Sequence, residues 1–332
     1  MAASPFSLLR RLGCFALCLL APLAYGDHVR YRAVEVGALG GVLSYANCVN
    51  DFGVVVGNVQ YADGHTQGFM WTSQAGTVRI DPWARRSIAT WITNAGVIAG
   101  AALDQDPAMN AVLWDMNLER HIIAWAPHGA VASCVNERNQ AVGYRIDGYS
   151  FALESAFAWP SGDDDSEWTD LFEEDSTSFA TGINARGDIV GYVDRRAFLR
   201  RKNGSVRMLA GGSSRTAPAY ATAISDKGNV LVSQIGKAYL FTPAQMVRIN
   251  GVGSIYPFAL NYADTVVGTS ISDMSRAFVW DPKNGFAFID DQLNTRGWQI
   301  LSANSVNRAG MIAGYGIHNG RRRAVVLIPI QS

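Results

Sequence analysis

The stretch ATGINARGDIVG (180–191) decides the reading of this chain, because it recurs. Variants stand at ANCVNDFGVVVG (46–57), ATWITNAGVIAG (89–100), ASCVNERNQAVG (132–143), ATAISDKGNVLV (221–232), PFALNYADTVVG (257–268) and ANSVNRAGMIAG (303–314). Self-similarity at a period of roughly 20–50 residues marks a solenoid, a propeller or another repeat array.

Alignment of the seven copies gives clean columns. A polar hinge falls at Asn50, Thr93, Asn136, Asn184, Ser225, Asn261 and Asn307. Three residues on stand Gly53, Gly96, Asn139, Gly187, Gly228, Asp264 and Gly310, all types that tolerate a left-handed backbone. A short polar side chain that bonds the turn, followed by a residue with positive φ, is hairpin chemistry, so each phrase predicts strand–turn–strand. Four residues before the hinge the column is Ala in every copy but Pro257, as an innermost strand with little room requires. A second column (Gly57, Gly100, Gly143, Gly191, Val232, Gly268, Gly314) marks close backbone approach.

A third strand follows each phrase, for example GFMW (68–71), AFAW (156–159) and AFVW (277–280), apolar on both faces as a sheet between two neighbours must be. A fourth follows in six copies, including TVRI (77–80), WTDL (168–171) and MVRI (246–249). The seventh copy ends after its third strand, and its missing fourth stands at the other end of the chain, in YRAVEVGALGG (31–41). The pattern therefore predicts an all-β, seven-bladed β-propeller of four-stranded antiparallel blades, with the N-terminal strand completing the last blade. The fifth copy departs most, with Ser225 at the hinge and Val232 in the Gly column; without it the ring would have six blades.

Residues 1–26 read as a secretory signal peptide: Arg10 and Arg11, an apolar run from Leu12 to Ala24, and the small-x-small site Ala24-Tyr25-Gly26. Residues 27–332 then form one propeller domain, exported to the periplasm or the extracellular space. No later segment is apolar enough to span a bilayer as a helix. The whole chain carries 28 basic and 28 acidic side chains, and removal of the leader takes two arginines with it. That near-neutral balance argues against nucleic acid or a membrane surface as partner. Cys48 and Cys134 share a column in the first and third copies, two blades apart. A disulfide needs Cα atoms within about 7 Å, and packed sheets lie roughly 10 Å apart, so both thiols are expected unpaired and buried.

The repeat resembles the HAF family of probable extracellular repeats, whose unit runs Ala-x-x-Ile-Asn-x-x-Gly-x-Ile-Val-Gly, then His-Ala-Phe-x-Trp, then Leu-Gly-x-Leu-Gly-Gly. All seven copies match in part, and VGALGG (36–41) matches the strand end. The resemblance implies export and repetition, and names no reaction. The His of the unit is absent throughout; its column holds Gln67, Asn110, Ser155, Arg196, Lys237, Arg276 and Arg323.

That column enters the third strand, on the rim shared with the fourth-to-first-strand loops. Blades 4 to 7 are basic there (Arg196, Lys237, Arg276, Arg323), whereas the loops of blades 1 to 3 carry Asp63, Asp104, Asp106, Asp147 and Glu154. A rim split into basic and acidic arcs would suit a partner of complementary polarity; ordinary solvated loop charge is the alternative. Trp83, Trp125 and Trp298 are placed in fourth-to-first-strand connections, where a sugar ring could stack on them, and Trp91 is placed to plug the channel. The acidic stretch DDDSEWTDLFEED (163–175) lacks the Gly and the bidentate Glu of a Ca²⁺ loop and reads as a solvated insertion. The five histidines show no metal-ligand spacing, and no nucleophile elbow or phosphate loop is present. The expectation is an exported, non-enzymatic module without cofactor or metal that binds a protein through its rim. The alternatives are a lectin-like propeller and, further off, a glycoside-acting enzyme.

Overall fold

The computed structural model describes residues 29–330 apart from 38, 105–107, 147–153, 162–166, 174–175, 210–216 and 273. The expected leader, Asp106, Asp147 and, of the acidic stretch, 163–166 and 174–175 lie outside the described residues. Among those described, the strands form seven four-stranded antiparallel sheets. Blade 1 runs Leu43–Val49, Val55–Gln60, Thr66–Thr72, Gly76–Arg79, and blade 2 Arg86–Ile92, Ile98–Leu103, Asn110–Trp114, Arg120–Ala124. Blade 3 runs Ala130–Val135, Ala141–Ile146, Glu154–Trp159, Thr169–Asp170, and blade 4 Ser178–Ile183, Ile189–Val193, Arg196–Arg200, Val206–Met208. Blade 5 runs Ala219–Ile224, Val230–Gln234, Lys237–Phe241, Met246–Ile249, so it is complete and the ring has seven blades. Blade 6 runs Ser254–Leu260, Val266–Ile271, Ser275–Asp281, Gly285–Phe288. Blade 7 takes Trp298–Val306, Ile312–His318 and Arg321–Ile330 from the end of the chain and Arg30–Val36 from its start. That last ladder is regular from Arg30↔Ile330 to Val36↔Ala324. No helix of the described residues is long and apolar enough to cross a membrane.

The first strand of each blade is innermost, touching the first strands of both neighbours in an unbroken ring. This crowding explains the Ala column: Ala46, Ala89, Ala132, Ala180, Ala221 and Ala303 are fully buried. It also explains the second Gly column. A Cβ on Gly57 would meet the Tyr45 carbonyl at 2.1 Å and the ring of Phe69, its cross-strand partner, at 2.8 Å. Where blade 5 has Val232 instead, its partner is Tyr239 rather than Phe. The turn residue three after the hinge has positive φ in all seven copies, including Asn139 (59°) and Asp264 (62°). Seven apolar clusters fill the spaces between blades.

Polar clasps join the inner strands across the seams. A hinge Asn accepts from its own turn and donates its amide to the hinge carbonyl of the next blade: Asn50 to Thr93 (3.0 Å), Asn136 to Asn184 (2.9 Å), Asn184 to Ser225 (3.4 Å), Asn261 to Asn307 (3.0 Å) and Asn307 to Asn50 (2.9 Å). Each inner strand also carries a bulge just after the Ala column. The extra residue reaches the next blade from Asn47 to Ala89, Thr90 to Ala132, Thr181 to Ala221 and Asn304 to Ala46, at 2.7–2.9 Å. A third clasp runs in the same direction but from backbone to side chain: the N–H after the hinge donates to the side chain at the same position of the next blade, in Asp51 to Asn94, Asn94 to Glu137, Ala185 to Asp226 and Arg308 to Asp51. Seams 1–2, 4–5 and 7–1 have all three clasps. Among the described residues, the 5–6 seam has none.

The channel mouths as candidate functional site

The hinge end of the channel is a polar ring. Asp51, Asn94, Glu137, Ala185, Asp226, Tyr262 and Arg308 surround a cavity of about 180 Å³ that reaches down to Cys48 and Trp91. Arg308 spans the ring, pairing with Asp51 (3.3 Å) and facing Asp226 (3.8 Å). Trp91, the plug expected from the sequence, lines this cavity and packs against the apolar clusters of three successive seams. Cys48 and Cys134 are free and buried. Burial pushes the Cys48 thiol up to about 11 and the Cys134 thiol to about 12.

The opposite end carries the loops singled out from the sequence, and it divides them. Arg323 is almost wholly buried: it donates to the Val42 carbonyl of blade 1 at 3.0 Å and pairs with Glu35 at 3.4 Å, acting across the 7–1 seam. Arg276 pairs with Asp290 (3.6 Å) and Asp291 (3.1 Å) and lies 3.8 Å over the Phe288 ring. Arg196 and Lys237 are exposed and have no ion pair among the described residues. Of the acidic arc, Asp63 bonds His65, which holds its carboxyl below the usual range, and Asp104 pairs with Arg120, itself bound to the buried Asp81 (2.9 Å). Asp147 lies outside the described residues.

The tryptophans divide as well. Trp83 is 93% exposed and Trp125 62% exposed, both in fourth-to-first-strand connections. Trp298 requires a correction: it begins the nine-residue inner strand of blade 7, is half-buried, and stacks on His318 at 4.4 Å. The sequence placed this strand too short because its two bulges interrupt the alternation.

Sequence reasoning missed the aromatic lining of this mouth. Tyr144, Phe179, Tyr192 and Tyr220 make one continuous arc over blades 3 to 5, with ring centres 4.5–4.8 Å apart. Burial raises Tyr192 far above its ordinary value, with Glu154, Tyr220 and Tyr144 adding to it, and burial raises Glu154 too. Beyond Tyr220 the arc opens into a cleft of about 570 Å³ between blades 5 and 6, lined mainly by Pro218, Tyr220, Ile235, Tyr256 and Phe258. Tyr45 and Tyr315 meet edge-on at 5.0 Å across the 7–1 seam, with Arg322 over both rings. The signal was available in two unread columns: the residue before the Ala column and the residue after the second Gly. Aromatic faces beside a largely apolar cleft can stack on or enclose apolar side chains and sugar rings.

No family model matches the chain, and no curated protein matches it. Solved structures do. A Mycobacterium tuberculosis puromycin-hydrolyzing peptidase superposes with a TM-score of 0.58 at 12% identity, over 91% of this chain and 55% of that one. The extracellular domain of a hybrid two-component system of B. thetaiotaomicron matches with 0.57 at 10% identity, over 92% and 40%. The Pyrococcus horikoshii acylaminoacyl peptidase matches with 0.54 at 13% identity, over 88% and 53%. The chain spans about half the length of the peptidases, and at these identities the likeness is one of fold.

Proposed function

We propose that this chain is an exported, non-enzymatic binding module that holds a protein or peptide at the loop-bearing mouth of its channel; export is what the HAF resemblance implies. The observation that carries the reading is the aromatic arc Tyr144–Phe179–Tyr192–Tyr220 opening into the cleft beside Tyr256 and Phe258. Tyr256 and Phe258 are 36% and 40% exposed, and contiguous exposed apolar area beside a concavity is the usual mark of a recognition surface. The fold likeness to an extracellular domain of a two-component system agrees with export and recognition. The test is selection of a random dodecapeptide phage library on the immobilised mature chain. Enriched peptides that bind the chain in solution are expected; a selection that enriches nothing overturns the reading.

A second reading, glycan binding, draws on Trp83 and Trp125, whose exposed rings offer stacking faces. A glycan array with hits that Trp83→Ala abolishes would establish it in place of the first.

A further inference from the structure

Resting on the peptide-binding reading, the geometry of the ring narrows both the place and the ligand. The seam between blades 5 and 6 is the one at which every inner-strand clasp is missing among the described residues. Ser225 stands where a hinge Asn would reach the Asn261 carbonyl, and its hydroxyl instead takes the Asn229 N–H of its own turn. The bulge residue Thr222 bonds only its own blade, at the Leu231 carbonyl, and faces Pro257 where other blades have Ala. Tyr262, with its only oxygen at the far end of a ring, replaces the carboxylate or amide that would accept the Asp226 N–H. What holds the seam is the apolar cluster around Leu231, Ile255 and Phe278, the Ile255 N–H donating to the Gly236 carbonyl (2.7 Å) at the loop-bearing mouth, and near the hinge Asn229 donating to Asp264 (2.8 Å) with Lys227 paired to the same carboxylate (3.6 Å).

The same seam opens the cleft at the other mouth. On its blade 5 side, Ile235 sits in a two-residue hairpin at φ 45° and is 60% exposed. A β-branched residue at positive φ is an outlier in a position where Asn is the natural occupant. Strain of this sort persists at sites where the side chain is needed for contact. An exposed aliphatic side chain there faces the same cleft as Tyr220, Tyr256 and Phe258.

Charge says what should enter. Lys237 follows the Ile235–Gly236 turn directly, and the Arg195 carbonyl accepts the N–H of Ala219, next to Tyr220. Arg195, Arg196 and Lys237 are exposed and make no ion pair among the described residues. An apolar cleft with Lys237 next to its lining residue Gly236, and with Arg195 and Arg196 on the preceding blade, complements a segment that is apolar at its anchor and acidic around it. We propose that the 5–6 seam is a docking site for an acidic peptide segment of a partner protein, one apolar side chain of which fills the cleft while neighbouring carboxylates pair with Arg196 and Lys237.

The test uses the peptides enriched by the display selection, with labelled copies titrated against the mature chain by fluorescence anisotropy. Expected peptides carry net negative charge and an aromatic or aliphatic anchor. Phe258→Ser should weaken them more than tenfold with their salt dependence kept. Arg196→Glu with Lys237→Glu should weaken them more than tenfold and remove that dependence. All three positions are exposed, and unchanged thermal midpoints confirm that the variants fold. Enriched peptides that are neutral or basic, or that bind both variants as tightly as the parent, overturn this inference and leave the module reading standing. A selection that enriches nothing overturns both.

Discussion

The side-chain amide of Asn307 donates to the backbone carbonyl of Asn50 at 2.9 Å, joining the last blade to the first with the same bond that joins Asn50 to Thr93. Asn307 is 5% exposed, and its Oδ1 also accepts the Met311 N–H at 2.9 Å. Asn307→Ala strands buried polar groups on both blades and should destabilise the chain by about 2 kcal/mol. Ser225→Asn, which supplies the donor absent from the 5–6 seam, should stabilise it by about 1 kcal/mol. Urea unfolding followed by Trp fluorescence measures both, and shifts of the same sign would discount the clasp.

The two thiols should be silent in the folded protein. Cys48 and Cys134 are raised by burial to about 11 and about 12, so a disulfide-exchange reagent at pH 8 should find no thiol in a chain of residues 27–332 until denaturant is added, and then two. Because the folded values lie above the ordinary thiol value, the unfolded chain ionises first. The stability these groups contribute is full below pH 9 and declines as pH rises through 11 to 12. Cys48→Ser with Cys134→Ser should flatten that alkaline limb, read from unfolding midpoints between pH 8 and 11.

Acid should loosen blade 4. Burial works against the charge of Asp188, but the Asn184 amide, the Lys202 N–H at 3.2 Å and Arg201 at 3.1 Å outweigh it and hold its carboxyl below the ordinary aspartate value. A depressed acid contributes stability above its unfolded pKa and loses it as pH falls toward the folded one. Unfolding midpoints should therefore drop below pH 4, and Asp188→Asn should show a lower midpoint at pH 7 with a shallower drop. A parallel pH profile for the two proteins would reject the assignment.

Basic residues of one repeat column should respond differently to reversal. Arg323→Glu places an acid beside Glu35 and removes the donor to Val42, so a loss of about 3 kcal/mol is expected. Arg196→Glu, at an exposed position, should leave the thermal midpoint nearly unchanged. Equal midpoints for the two variants would show that burial does not separate them.

Relieving the blade 5 hairpin should trade binding for stability. Ile235→Asn removes a β-branched residue from positive φ and should add about 1 kcal/mol, while removing an apolar wall of the cleft. A more stable variant that binds selected peptides as tightly as the parent would separate the strain from recognition.

Much of the fold was legible because hinge Asn, turn Gly and inner Ala each answer to one steric demand repeated seven times. The completing strand was legible for the same reason, since a missing fourth strand at one end and a spare one at the other have a single solution. The site was less so. In the inner strands a half-buried aromatic that lines the mouth alternates with fully buried residues, and the bulge shifts the alternation, so nothing in the pattern sets Phe179 and Tyr220 apart from core. Arg323 and Arg196 share a column, yet one crosses a seam and the other meets water; that depends on how far the neighbouring blade approaches. The missing clasps of the 5–6 seam were visible as substitutions at Ser225 and Pro257, but not as one event, because their partners are supplied by another copy.

The ladder between Arg30–Val36 and Arg321–Ile330 also sets an order of events. Every other strand pair joins near neighbours in the sequence and can form from local hairpins within microseconds. This one joins the first strand to the last, and contacts of such separation form slowly. The seven-residue opening strand therefore waits, its edge unpaired, until the final ten-residue strand arrives. For this chain, becoming a ring is expected to be the last step of folding, and the interval before it is when an open edge would meet other chains.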